Sequence, residues 1–286
     1  LLFQICKRLE GLPLAIELAA GQINTLSPQL LLKKLDHKLD ILKGNFRDIP
    51  DRQKTIRNTI EWSFDLLTEN EQELLLRISL FNAGALMESI EWMGADLKDD
   101  TLRLLDSLLN KSLLTKQDEN MQVRFCMLES VREFSLEKLN MLGKLDALKM
   151  LQADYYKSAL QAFKLQKNKI DQSEALAMLE KEHPNIRQVL DFLLERNEIS
   201  KLTHIAWNLW LFWWVNAHTK EAYHWLRKAW DKQNQGNSPL DDKTLSFLVA
   251  NVGIMSFLQR DFESYNASLQ NNLNLIQLQD DDELVA

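Results

Sequence analysis

SLLTKQDENMQVRFCM, residues 112–127, breaks with the helical rhythm on either side of it. Ser112-Leu113-Leu114-Thr115 is short and strand-like, and Gln117-Asp118-Glu119-Asn120 reads as a polar turn. Beyond the turn, Met121, Val123, Phe125 and Met127 alternate with Gln122, Arg124 and Cys126, the period of a half-buried strand. The stretch therefore predicts a β-hairpin. Upstream of it the period is helical. Leu102, Leu105, Leu108 and Leu109 mark one helix, and Ile56, Ile60, Phe64 and Leu67 mark another. Between these, Thr68-Glu69-Asn70-Glu71 has the form of a capping box and opens a helix that turns Leu74, Leu75, Ile78 and Phe81 inward.

Helices closed by a single hairpin predict a winged helix, a fold that can read DNA through the helix before the wing. The charges around that helix argue against this use. Lys98, Arg103 and Lys111 stand beside Asp99, Asp100 and Asp106, which leaves no net positive field to neutralise phosphates. The whole chain points the same way, with a net charge of -7.

Toward the N-terminus, Gly11-Leu12-Pro13-Leu14-Ala15 separates two apolar helical runs. Gly11 can end the first, and Pro13 is tolerated in the first turn of the second, where its missing N–H would have no partner anyway. Ser27-Pro28 then has the form of an N-cap followed by proline, and Leu30, Leu31, Leu35, Leu39 and Leu42 continue a stripe. Residues 1 to about 44 are predicted as three helices. Toward the C-terminus, helical pairs resume after Leu142-Gly143, with Pro184 read as a helix start. From Leu202 a repeat emerges, in which Leu209–Trp230 overlays Val252–Leu273, at the spacing of tetratricopeptide-like helical pairs. Trp207, Trp210 and Trp214 share one helical face, the reading for packing between stacked helices, while Trp213 points elsewhere.

Composition bounds the function. The 286 residues include only 8 Gly and 5 Pro, which favours a mostly α chain of two or three domains. Cys6 and Cys126 are too few for a disulfide framework and read as buried free thiols in a reducing compartment, so a cytoplasmic location is expected. The most apolar run, around Ile205 to Val215, is too short to span a bilayer, and no membrane partner is expected. The five histidines show neither HExxH spacing nor cysteine partners, and no GxSxG elbow occurs. No catalytic residue and no metal site is read from spacing. No two glycines stand as in GxxxxGK[ST], so this stretch of chain cannot build a phosphate cradle.

Several motifs, in order, resemble those of the signal-transduction ATPases with numerous domains, in their bacterial NB-ARC-like form. Gly11-Leu12-Pro13-Leu14-Ala15 is similar to their GLPLA motif. Arg47 to Arg57 and Ile60 to Leu67 resemble the opening of their winged helix, and Met127 to Ser135 its end. Glu182-His183-Pro184-Asn185-Ile186-Arg187 resembles the start of their helical repeats.

The resemblance implies a helical subdomain of the nucleotide switch over 1–45 and a winged-helix domain over 46–145. It further implies linking helical pairs over 146–200 and tetratricopeptide-like repeats over 201–286. No cofactor is expected in this stretch, with ADP or ATP held by a nucleotide-binding domain upstream, and both ends of the chain read as cut within a longer protein. In that family the proline matching Pro13 packs on the nucleotide. Met127-Leu128-Glu129 stands where a Met-His-Asp motif contacts the ADP phosphate, but Leu128 has no donor, so Arg124 or Arg132 is the candidate for that charge.

The implied function is non-enzymatic: coupling nucleotide state to the sensing of a protein or small effector by the repeats, with the winged helix used for packing. Trp213, Trp214 and His218 are the candidate partner-binding residues. The alternative is a transcriptional regulator that binds DNA through its winged helix. Leu269, Leu273 and Ile276, uncovered at the last repeat, suggest self-association of the fragment.

Overall fold

The structure, a computed structural model, describes residues 1–9, 13–23, 26–33, 51–119, 122–165, 172–236 and 240–276. Gly11, Leu12, the stripe beyond residue 33, Arg47 to Pro50 and the acidic C-terminal run lie outside them. The chain divides into two compact units, 1–148 and 149–286. The fold is mostly α, with a helical subdomain, a winged helix containing one hairpin, and a helical solenoid.

In the first unit, α1 (Leu2–Arg8) and α2 (Pro13–Gly21) pack against α3 (Asp51–Asp65). Ile5, Leu9, Ala15, Ala19 and Leu31 close on Trp62 of α3, so apolar residues of α1 and α2 share one core with the next helix. Gly21 is required by proximity: a Cβ there would stand 2.9 Å from the backbone carbon of Lys111.

The winged helix follows as α4 (Glu69–Ile78), α5 (Met87–Gly94), α6 (Thr101–Asn110), the hairpin β1 (Thr115–Glu119) and β2 (Gln122–Cys126), and α7 (Glu129–Met141). The capping box forms as the sequence predicts, with the Glu71 N–H donating to Thr68 Oγ1 and the Thr68 N–H donating to Glu71 Oε2. Ala85 bridges Phe125 through two backbone hydrogen bonds of 2.9 Å and adds a one-residue third strand to the hairpin. Beside it Gly84 sits at φ +77, and a Cβ there would reach 2.7 Å from Cys126 Sγ. Cys6 and Cys126 form no disulfide and are only half-buried.

The hairpin differs in register from the sequence expectation. Leu113 and Leu114 are buried in the approach to β1 rather than in the strand. The strand runs through Gln117, Asp118 and Glu119, which were expected to turn, and Glu119 pairs with Gln122. Thr115 to Asp118 are all exposed, so the strand carries polar residues along its length and polarity alone places the turn too early.

The second unit contains the greater part of α8 (Leu145–Leu165), then α9 (Gln172–Glu195), α10 (Ile199–Val215), α11 (Thr219–Asn234), α12 (Asp242–Leu258) and α13 (Phe262–Ile276). Pro184 lies inside α9 and does not begin a helix. Its missing N–H leaves the Glu180 carbonyl without the usual helical donor, but Ile186, Val189, Leu190 and Leu193 bury one face of the helix and hold it through the proline.

The repeat overlay holds element by element: α10 and α12 end at the matched Val215 and Leu258, and α11 and α13 begin at Thr219 and Phe262. The two connecting turns are also the same. Ala217 and Arg260 take φ of 60 and 62, and the next N–H closes five residues back, from His218 to the Trp213 carbonyl and from Asp261 to the Ser256 carbonyl, the bond of a Schellman cap.

Candidate functional site

Two surfaces compete for the role of functional site. The first is the outer face of α6, the helix that a DNA-reading winged helix would insert into the major groove. Asp100 caps α6 by accepting from the Leu102 N–H at 3.1 Å. Leu104, Leu105 and Leu108 face the core, while Leu102, Arg103, Asp106 and Asn110 face solvent. Leu102 therefore does not join the buried stripe that its spacing suggested. Asn110 donates to Asp106 at 3.1 Å, so on this face one arginine stands against one aspartate.

Several other cations of the domain point inward, while Lys98, Lys116 and Lys144 stay exposed. Lys111 Nζ lies 2.7 Å from Glu71 Oε1, with both side chains largely buried, and Ser107 donates to the same carboxylate. Burial raises the Glu71 pKa, but hydrogen bonds from Lys111, Ser107 and the Thr68 N–H outweigh it and hold the carboxyl below its ordinary value. Arg77 is enclosed in the same manner, donating to the Met93 carbonyl at 2.5 Å and pairing with Asp96 and Glu73. On the wing, Lys116 is 3.7 Å from Asp118.

The second surface is a groove of about 480 Å³ between α10, α12 and α13, lined by Trp210, Trp214, Ile254, Phe257, Tyr265 and Leu269. Trp214 and Phe257, at matched positions of the two repeats, are each about half exposed. The tryptophans divide differently from the sequence expectation. Trp213 is fully buried and Trp214 is not, while Trp207 stacks on Phe247 at 4.5 Å. Leu202, Ile205, Ala206, Leu209, Phe212 and Trp213 make the buried face of α10, which displaces the Trp207, Trp210 and Trp214 face toward the groove.

Beside this helix a polar cluster joins α9 to the turn between α10 and α11. Trp213 donates to His183 Nε2 at 3.2 Å, and the His183 ring lies 4.2 Å from that of His218. His218 Nε2 is 2.9 Å from Glu180 Oε2, which also accepts from Asn216 at 2.6 Å. Burial first, then the neighbouring His218 and Arg187, lower the His183 pKa to about 4, so it is neutral at ordinary pH.

The residues singled out in the sequence thus scatter. Of the three candidates for partner binding, Trp214 is available to a partner and His218 is half-buried against Glu180. Trp213 belongs to the core, so a direct role at a surface is withdrawn. Pro13 is exposed at the start of α2, and Leu128 is exposed at the N-cap of α7. Arg124 is buried and donates to the Ala83 carbonyl at 3.3 Å, while Arg132 is paired with Glu129 at 2.6 Å. The Glu180, His183 and His218 cluster was missed from spacing. Its visible signal is Glu180 and His183 three apart on one helical face, and the third member is brought in only by the fold.

Residues 67–140 match the model of a winged helix-turn-helix domain. A provisionally named HTH-type transcriptional regulator of Mycobacterium tuberculosis is 34% identical over 233 residues, covering 80% of this chain and 26% of that protein. Its counterpart in Mycobacterium bovis matches to the same extent. An uncharacterized protein of Mycobacterium tuberculosis is 34% identical over 149 residues, 51% of this chain and 38% of its own length. The chain thus spans about a quarter of the first of these relatives. Among solved structures, a signal-transduction ATPase with a tetratricopeptide repeat sensor from Pyrococcus horikoshii aligns over 94% of this chain and 42% of its own, at 13% identity and a TM-score of 0.39. No helix among the described residues is long and apolar enough to cross a membrane.

Proposed function

We propose that this chain is a non-catalytic regulatory part of a larger nucleotide-dependent switch, in which the winged helix is a packing element and the repeats recognise a protein or small effector. The observation that carries this reading is the contrast between the two surfaces. The outer face of α6 has no net positive charge for phosphates, whereas the repeats leave an aromatic groove open. The mycobacterial relatives named as regulators support the regulatory class, and the ordered motifs of the sequence support the switch. In such a switch ADP or ATP would be held by a nucleotide-binding core elsewhere in the protein, and Pro13 and Leu128 would face it.

Calorimetry tests the non-catalytic part directly. The chain alone should show no ATP or ADP binding in the micromolar range, and saturable binding there would overturn it. For the switch, the Leu128→His variant of a longer protein that carries the phosphate loop should retain ADP more tightly, because it adds the donor that leucine lacks. Unchanged retention would show that this position does not read the phosphate.

DNA binding through α6 is the second reading. The winged helix-turn-helix match over residues 67–140 favours it.

A further inference from the structure

Glu180, His183 and His218 each present a potential ligand atom, and these atoms all lie within 4.8 Å of one another. They come from two elements, α9 and the N-cap of α11, so whatever binds them ties a long helix to the repeat turn. We propose that these three side chains bind one divalent transition-metal ion of the zinc type, a site independent of the proposed regulatory reading. Two imidazoles and one carboxylate suit zinc, which takes histidine nitrogens at about 2.0–2.1 Å and leaves a fourth position for water or another ligand. Magnesium and calcium, which prefer all-oxygen shells, do not fit this donor set.

The surroundings favour binding. Asn216 donates to Glu180 Oε2 and orients the carboxylate as an outer-shell partner does. Glu180 is the most exposed of the three and can turn its carboxylate toward a bound ion. One interaction must be given up. The only lone pair of neutral His183 faces the Trp213 N–H, so coordination through either ring nitrogen breaks the 3.2 Å bond between them. A single neutral hydrogen bond is a small loss beside metal coordination.

The test is a titration of chelator-treated chain with zinc sulfate by calorimetry, repeated with cobalt(II) and read by absorbance. Saturable uptake of one equivalent is expected, with a cobalt spectrum free of thiolate charge-transfer bands. His218→Ala and Glu180→Gln, each checked for unchanged helical circular dichroism, should weaken binding at least about tenfold. His224→Ala, on the exposed side of α11, and the double Cys6→Ser, Cys126→Ser variant should bind as the parent does. Absence of saturable uptake would leave only a hydrogen-bonded cluster and overturn the proposal. So would uptake that survives His218→Ala, or uptake lost when the cysteines are replaced.

Discussion

The winged helix and the repeats treat their conspicuous side chains in opposite ways. In the winged helix Arg77, Lys111 and Arg124 are turned inward, onto Asp96 and Glu73, onto Glu71, and onto the Ala83 carbonyl. The helix face that could have met DNA keeps a balanced pair of charges. In the repeats Trp214 and Phe257 remain about half exposed at equivalent positions. In a domain of DNA-binding shape, Arg77, Lys111 and Arg124 are taken up by internal pairing. A structural helix pair can be open to a partner through the residues its core rejects.

The sharpest break of this comparison lies within one dipeptide. Trp213→Ala should destabilise the repeat unit by roughly 3–5 kcal/mol, because it empties a fully buried site and removes the donor to His183. Trp214→Ala should change stability by no more than about 0.5 kcal/mol. Urea unfolding of the two variants measures both, and equal losses would mean that Trp214 is also core.

In the winged helix, Glu71→Ala should destabilise by about 2–3 kcal/mol, since it leaves the Lys111 ammonium largely buried without its partner and removes half of the capping box. Lys116→Ala on the wing should be nearly neutral. If the Glu71 variant unfolds at the parental urea midpoint, the inward ion pair is not what holds α4 to α6.

Acid separates the units as well. His183 and His204 have folded pKa values below 6.5, chiefly through burial, so below that pH the unfolded chain binds more protons than the folded one and the repeat unit loses stability. The Glu71 pKa is depressed, so its contribution is fully present above about 4.5 and is lost only as pH falls through the lower folded value. In metal-free protein, amide exchange at pH 5 should show the repeats losing protection before the winged helix. The reverse order would contradict these assignments.

The smallest expected effect is at the repeat turns. Ala217 and Arg260 sit in the left-handed region without being glycine, so Ala217→Gly or Arg260→Gly should be neutral or stabilising by up to about 1 kcal/mol in thermal melts.

Much of the fold could be read before the structure because its elements are locally declared. Thr68-Glu69-Asn70-Glu71 names a helix start, Val123 and Phe125 name a strand, and the repeat overlay matches two helical pairs. Pro184 misled because its local effect was overridden by apolar residues on both sides of it in one buried face. The tryptophan run misled because helical spacing gives the faces of α10 but not which face its neighbours cover. The candidate metal cluster was illegible for a similar reason, since His218 reaches Glu180 only through the Schellman turn that ends α10.

The measurement that bears most directly on the account is fluorescence anisotropy of labelled duplex DNA, of mixed sequence, titrated with this chain at about 50 mM salt, where phosphate contacts are strongest. The account predicts no saturable binding, and no difference between the parent and Arg103→Ala. Saturable binding that weakens with salt and is lost in Arg103→Ala would make α6 a DNA-reading helix and contradict it.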